Sequence, residues 1–165
     1  MNVTERAARV RLVVFDVDGV FTDGRLYYGP GGEELKVFHV HDGQGVKRLL
    51  AGGVAVAVIS GRDSAAVSRR MRDLGVAHVF QGDEDKLPIF ERLLKRLALK
   101  PEETACVGDD LPDLPLLEKA GLAVATANAM PAVRAKAHLV TGATGGAGAV
   151  REVCELILAA RERGA

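Results

Sequence analysis

The chain reads as an α/β protein built around a mostly parallel sheet. Short apolar runs, rich in β-branched residues, alternate with longer amphipathic stretches along almost the whole sequence. That alternation, with short connections, is the pattern of βαβ units. The run Arg11-Leu-Val-Val-Phe15 leads straight into Asp16-Val-Asp-Gly19, and open α/β sheets bind ligands at the carboxyl ends of their strands. At 165 residues with 48% hydrophobic content, one domain over 1–165 with a real core is expected. No linker, repeat or low-complexity boundary divides it.

Strands are expected at 11–15, 55–59, 78–80, 104–107, 122–125 and 138–140. Each is a short apolar run bounded by turn or polar residues. Helices are expected at 43–51, 63–74, 85–98, 112–119, 131–136 and 147–163. Gly75, the Lys100-Pro101 pair and Gly121 act as stop signals between them. One segment breaks the alternation. Gly24-Arg-Leu-Tyr-Tyr28 and Glu33-Glu-Leu-Lys-Val-Phe-His-Val40 flank Gly29-Pro-Gly-Gly32, turn chemistry between two β-rich runs, so a β-hairpin is expected over about 24–40. Leu26, Tyr28, Leu35, Val37 and Phe38 make at least one of its faces apolar. An isolated hairpin is marginal in water, and other copies of the chain are its natural partners. The Gly-rich stretch 141–148 fits neither dinucleotide nor P-loop spacing and reads as a loop or hinge, with a gate that closes over substrate as the alternative.

The formal net charge is zero, which argues against a broad nucleic-acid or membrane-surface field. Aromatic residues make up 4% and Trp is absent, so base-stacking platforms are not expected. Cys106 and Cys154 sit in apolar patterns without metal-site spacing and read as buried free thiols. The first residues carry no apolar signal region, and no stretch is long enough to span a bilayer. A reducing, cytoplasmic setting is expected.

Asp16-Val-Asp-Gly19 alone leaves two readings open: a ligand site, or an Asp-Gly turn that caps a strand. Three further segments decide between them. Val54–Ile59 ends in Ser60-Gly-Arg62, Lys86 precedes an amphipathic helical stretch, and Thr104-Ala-Cys-Val107 ends in Gly108-Asp-Asp-Leu-Pro-Asp113. In this order the four motifs closely resemble the haloacid dehalogenase superfamily of phosphotransferases. The resemblance implies a three-layer, doubly wound, Rossmann-like sheet and a Mg²⁺-dependent attack by a carboxylate on a phosphate ester. It implies Asp16 as nucleophile and Asp18 as general acid and base. Ser60 and Lys86 would contact the phosphoryl group. The metal would be held by the side chains of Asp16 and Asp109 and the backbone carbonyl of Asp18, with Asp110 and Asp113 as ligands or supporting groups. Asp113 also fits an N-terminal helix carboxylate. The superfamily often inserts a cap domain, and here only the hairpin is available, so the capless type is implied.

Local sequence narrows the resemblance. Asp16–Gly24, Lys36-Val-Phe-His-Val-His-Asp-Gly-Gln-Gly45, Ile59-Ser-Gly-Arg62, Gly108–Asp113 and Gly145-Gly-Ala-Gly-Ala-Val-Arg-Glu152 resemble the 3-deoxy-D-manno-octulosonate 8-phosphate (KDO 8-phosphate) phosphatases along almost the whole chain. His41 departs from the group, which commonly has Arg there. The family implies release of KDO and phosphate on the route to lipopolysaccharide, and a homotetramer joined through the hairpins. Cations should ring an anionic sugar phosphate, and Lys47, Arg62 and Arg70 are placed for that. His39, Val40, His41, Asp42 and Gly43 are expected to contact substrate or pack at the strand end, with His39 and His41 on one strand face, followed by Asp42, as a less favoured transition-metal site. Alternatives are a phosphatase for a related nine-carbon sugar acid phosphate or for sugar phosphates broadly, a catalytically reduced oligomerisation module, and a phospho-receiver domain. Intact Asp16, Asp18, Lys86 and Asp109 argue against the module, and the Asp18 partner has no role in a receiver.

Overall fold

A computed structural model describes residues 1–164. Six parallel strands form the main sheet: β1 (Leu12–Phe15), β4 (Ala55–Ser60), β5 (His78–Gln81), β6 (Thr104–Gly108), β7 (Leu122–Ala125) and β8 (Leu139–Val140). Their spatial order is β5-β4-β1-β6-β7-β8. The chain winds outward from β1 through β4 to β5, then returns to β6 on the other side of β1. The reversal opens a crevice at the carboxyl ends of β1 and β6, the usual ligand position in such sheets.

Alternation along the strands sends side chains to two faces. Val13 and Phe15 join a core with α1 (Val3–Ala8), α2 (Val40–Ala51), α3 (Ala65–Leu74) and α7 (Ala149–Gly164). Leu12 and Val14 face the opposite layer, against α4 (Lys86–Leu97) and α5 (Leu114–Lys119). The short α6 (Pro131–Arg134) packs beside β7 through Val133. Phe15 meets Phe21 edge to face at 5.3 Å, which fixes the chain just beyond the Asp16 turn against the core. Both cysteines are buried and free. No helix among the described residues is long and apolar enough to cross a membrane.

The six expected strands are present within a residue or two of their predicted bounds. The N-terminal helix α1 was not expected, although its signal is in the sequence: Asn2 and Glu5 form a reciprocal capping box. The hairpin is shorter than the sequence suggests. Only β2 (Tyr27–Tyr28) and β3 (Glu34–Leu35) pair, antiparallel and apart from the main sheet. The extended arm after β3 ends at His39, which caps α2, so the helix starts at Val40 rather than at 43. His39 and His41 therefore do not share a strand face. That removes the geometry behind a His39–His41–Asp42 metal site.

The stretch 141–148 is anchored, not free. The Gly145 amide donates to Asn128 Oδ1 at 2.6 Å, and the Gly146 amide donates to the Val20 carbonyl. Glu152 accepts from the amides of Gly142 and Ala143. A Cβ on Gly145 would lie 1.9 Å from the Gly19 carbonyl oxygen. The segment is a wall behind the Asp16–Gly19 turn, and only glycine allows the approach. It is the loop that the sequence suggests, held in place by these bonds.

Candidate active site

Strand pairing makes the site. β1 and β6 run in register with Phe15 opposite Val107, and the Asp16 amide donates to the Val107 carbonyl at 3.0 Å. The residues that follow, Asp16 and Asp109, are thus brought side by side. Gly19 turns back over them in the left-handed region, at φ 88°, and a Cβ there would lie 1.9 Å from Asp109 Oδ2. A side chain at this position would be both strained and blocked. Ser60 ends β4, buried on the same rim. Asp16, Ser60 and Asp109 line one cleft of about 250 Å³ together with Asp18, Arg62, Lys86, Asp110 and Asp113.

Lys86 opens α4 and is only 4% exposed. Its Nζ donates to Asp16 Oδ1 at 2.7 Å and to Asp113 Oδ1 at 2.6 Å. Burial alone would lower its pKa, but the two carboxylates more than offset this and raise it, so the ammonium stays charged. The other oxygen of Asp113 accepts from the amides of Asp109 and Asp110, at 2.9 and 3.3 Å. Asp113 is therefore a buried strut that ties the β6 turn to Lys86, and more than a helix-end carboxylate. Asp110 is exposed and accepts from the Leu111 amide.

Oxygens of Asp16, Asp109 and Asp113 lie within 4.8 Å of one another. Burial pushes the Asp16 carboxyl up to about 6, reinforced by Asp113 and opposed by Lys86. Asp109 goes up to about 8, through burial and then the charges of Asp16 and Asp113. Asp109 Oδ1 is buried without a hydrogen-bond partner. One lysine does not balance three carboxylates, and a buried acceptor without a donor is costly. An oxygen-seeking divalent cation fits this donor set on both counts.

Known proteins resemble this chain along almost its whole length. The model of the haloacid dehalogenase-like hydrolases matches residues 75–153. A 3-deoxy-D-manno-octulosonate 8-phosphate phosphatase of Yersinia pestis is 48% identical over 98% of this chain and 87% of its own length. The crystal structure of the Y. pestis phosphatase superposes with a TM-score of 0.96 at 48% identity, covering 98% of this chain and 87% of that one. The Moraxella catarrhalis phosphatase, solved in complex with magnesium ion, phosphate ion and KDO, gives 0.95 at 42% identity, covering 98% and 92%. The chain belongs to the KDO 8-phosphate phosphatase family of haloacid dehalogenase-like hydrolases.

Of the residues that likeness to the KDO 8-phosphate phosphatases assigned to the sugar, only Arg62 reaches the cleft of this chain. Its guanidinium is engaged by Glu34 at 2.7 Å and by the Tyr28 hydroxyl at 3.4 Å. Asp42 is buried, and its Oδ1 accepts from the Arg151 amide. It fastens α2 to the start of α7 and does not face the cleft; burial raises its pKa against the pull of that amide. Gly43 lies under Arg70, whose guanidinium stands 5.9 Å from the centre of the Phe38 ring, so Arg70 packs between α2 and α3. His39 Nδ1 accepts from the His41 amide. Val40, His41 and Lys47 are exposed on α2, outside the cleft. Arg151 reaches Glu155 and the His41 carbonyl.

Sequence reasoning passed over Glu34 and Lys36. Lys36 Nζ is 2.5 Å from Asp18 Oδ1 and 3.1 Å from Glu34 Oε1. The signal was present in the alternation Glu34-Leu-Lys-Val37. Leu35 and Val37 are 58% and 63% exposed, so the charged side of the arm faces inward and the apolar side outward.

Proposed function

We propose that this chain is a Mg²⁺-dependent phosphatase that hydrolyses KDO 8-phosphate to KDO and inorganic phosphate, as one domain spanning 1–165. The observation that carries it is the Asp16–Lys86–Asp109 constellation, with its unpaired buried Asp109 oxygen, in a chain of this family. Asp16 attacks phosphorus, and the bond from phosphorus to the sugar oxygen breaks. Asp18 gives its proton to that departing oxygen. Asp18 then takes a proton from water, whose oxygen attacks the aspartyl-phosphate, and phosphate leaves as Asp16 is restored. Ser60 and Lys86 hold phosphoryl oxygens, and Arg62 meets the sugar carboxylate. The side chains of Asp16 and Asp109 and the backbone carbonyl of Asp18 would hold the metal, with Asp113 and Asp110 around them. Bound Mg²⁺ supplies positive charge that lets two anions meet.

A phosphate-release panel with Mg²⁺ tests this. KDO 8-phosphate is expected to give the highest kcat/KM, at least about tenfold above neutral hexose phosphates, the factor that one lost ionic contact of about 1.4 kcal/mol produces. Equal values would leave only the superfamily chemistry standing, and a higher value for a nine-carbon sugar acid phosphate would move the substrate assignment there.

The outward apolar side of the hairpin supports a homotetramer. Leu35 and Val37, with Tyr27 paired beside Leu35, are all exposed there, and contiguous exposed apolar surface marks an interface; Tyr28, paired with Glu34, lies on the inward side. A cleft with no cap of its own gains cover when a neighbouring chain's hairpin crosses its entrance, and closed symmetric assemblies are the common solution. Phe38 takes no part in that surface, because it packs inward against the core and Arg70. Leu35→Glu with Val37→Glu is expected to reduce the light-scattering mass from near four chains to one or two, and to weaken substrate binding more than folding. A monomeric wild type with full activity would count against it. The two free, buried thiols support a reducing, cytoplasmic setting.

A further inference from the structure

We propose that Lys36, on the arm that follows β3, is a positioning residue for Asp18. The proposal rests on the reading of Asp18 as the proton-carrying group of the phosphatase. Four charges alternate in a closed ring. Lys36 Nζ lies 2.5 Å from Asp18 Oδ1 and 3.1 Å from Glu34 Oε1. Arg62 completes the circuit, with Nη2 2.7 Å from Glu34 Oε2 and Nε 3.8 Å from Asp18 Oδ2. The ring carries no net charge.

Lys36 is the least exposed member, with 2% of its side chain accessible. Taking an ammonium out of water is costly unless carboxylates replace its hydration shell. Burial depresses its pKa, but the bonds to Asp18 and Glu34 outweigh that and raise it. A two-residue strand pair with an apolar outer face has no need of a buried charge for its own stability. The cation is held where it touches Asp18. With Oδ1 fixed by Lys36, Oδ2 is the oxygen nearer Arg62, which lines the cleft with Asp18. A general acid or base works only within hydrogen-bond reach of its proton, and small displacements of a catalytic group cost much of its rate. Lys36 therefore decides which oxygen of Asp18 is presented and holds it there. It also links the hairpin mechanically to the chemistry.

The test compares two leaving groups. The sugar oxygen of KDO 8-phosphate leaves as an alkoxide and needs a proton, whereas p-nitrophenyl phosphate releases a stable phenolate that does not. In a double displacement, kcat/KM covers the steps up to departure of the leaving group. Lys36→Met is expected to lower kcat/KM for KDO 8-phosphate at least about tenfold, and for p-nitrophenyl phosphate less than about threefold. Glu34→Gln with Lys36→Met leaves Asp18 and Arg62 as a balanced pair and guards against misfolding. The same selective loss is expected there, with the thermal transition retained. Equal losses on both substrates, or none, in the folded double variant would overturn the proposal. Asp18→Asn is measured alongside and should show the same selectivity with a larger loss. Selectivity in Asp18→Asn without selectivity in the Lys36 variants sinks the role of Lys36 alone. Its absence in Asp18→Asn overturns the reading of Asp18, and the proposal with it.

Discussion

Replacing Asp16 by Asn is expected to lower phosphate release by at least about a thousand-fold, the order of loss when a nucleophile is removed. The amide keeps the shape of the carboxylate but cannot form the acyl phosphate at a useful rate. The fold should survive. Lys86 retains its 2.6 Å bond to Asp113, and the Asp16 backbone bond to Val107 does not depend on the side chain. Without Mg²⁺ the variant is expected to melt no lower than the wild type, because burial and Asp113 already disfavour the Asp16 charge. Stopped phosphate assays with circular dichroism melts check both parts. A variant within tenfold of wild-type rate would rule out covalent catalysis by Asp16.

Chelation of Mg²⁺ is expected to abolish turnover, and its effect on stability should depend on pH with a definite sign. Asp16 and Asp109 are raised to about 6 and about 8, above their value of 3.8 in the unfolded chain. Between these limits the folded protein binds more protons than the unfolded one, so its stability falls as pH rises from about 4 to about 8. That loss is first the cost of burying ionised carboxylates and then the repulsion among them, and a divalent cation relieves both. Mg²⁺ at a hundred times its dissociation constant adds about 2.7 kcal/mol, which is roughly 5–10 °C in Tm for a chain of this size. The metal-induced shift should be larger at pH 8 than at pH 5. Differential scanning fluorimetry at the two pH values, with Mg²⁺ and with EDTA, measures it. Equal shifts would mean that the carboxylate cluster is not the metal site.

The parts of this protein that were legible in its sequence are those built from local pattern. The run before Asp16 and the run before Asp109 announce buried strands, and each hands its last residue to a polar motif. Lys86 was legible from its place between motifs. What was not legible depends on partners far along the chain. Asp42 looks like a substrate contact beside two histidines, but its oxygen belongs to the Arg151 amide, 109 residues away. Arg70 looks like a free cation, and the ring of Phe38 claims it. The hairpin was expected to run as strand to Val40, because Val37, Phe38 and Val40 are strong β formers; the helix cap at His39 prevailed over propensity. Lys36 escaped notice because a lysine on a surface hairpin is ordinarily solvated, and only the three-dimensional closure onto Asp18 removes it from water.

The wall behind the Asp16–Gly19 turn has a consequence for the order in which the molecule forms. Asn128 donates to the Gly19 carbonyl across 109 residues of chain, and Gly145 seats against the same carbonyl later still. Contacts of such separation form late, since the intervening chain must be closed first. The residues that do the chemistry are among the earliest to be synthesised, yet their loop receives its final shape among the last. A partly folded or truncated molecule would carry every catalytic side chain of the β1 loop and still be inert. Competence here is a property of the completed sheet, and recovery of activity on refolding should lag behind recovery of helical signal.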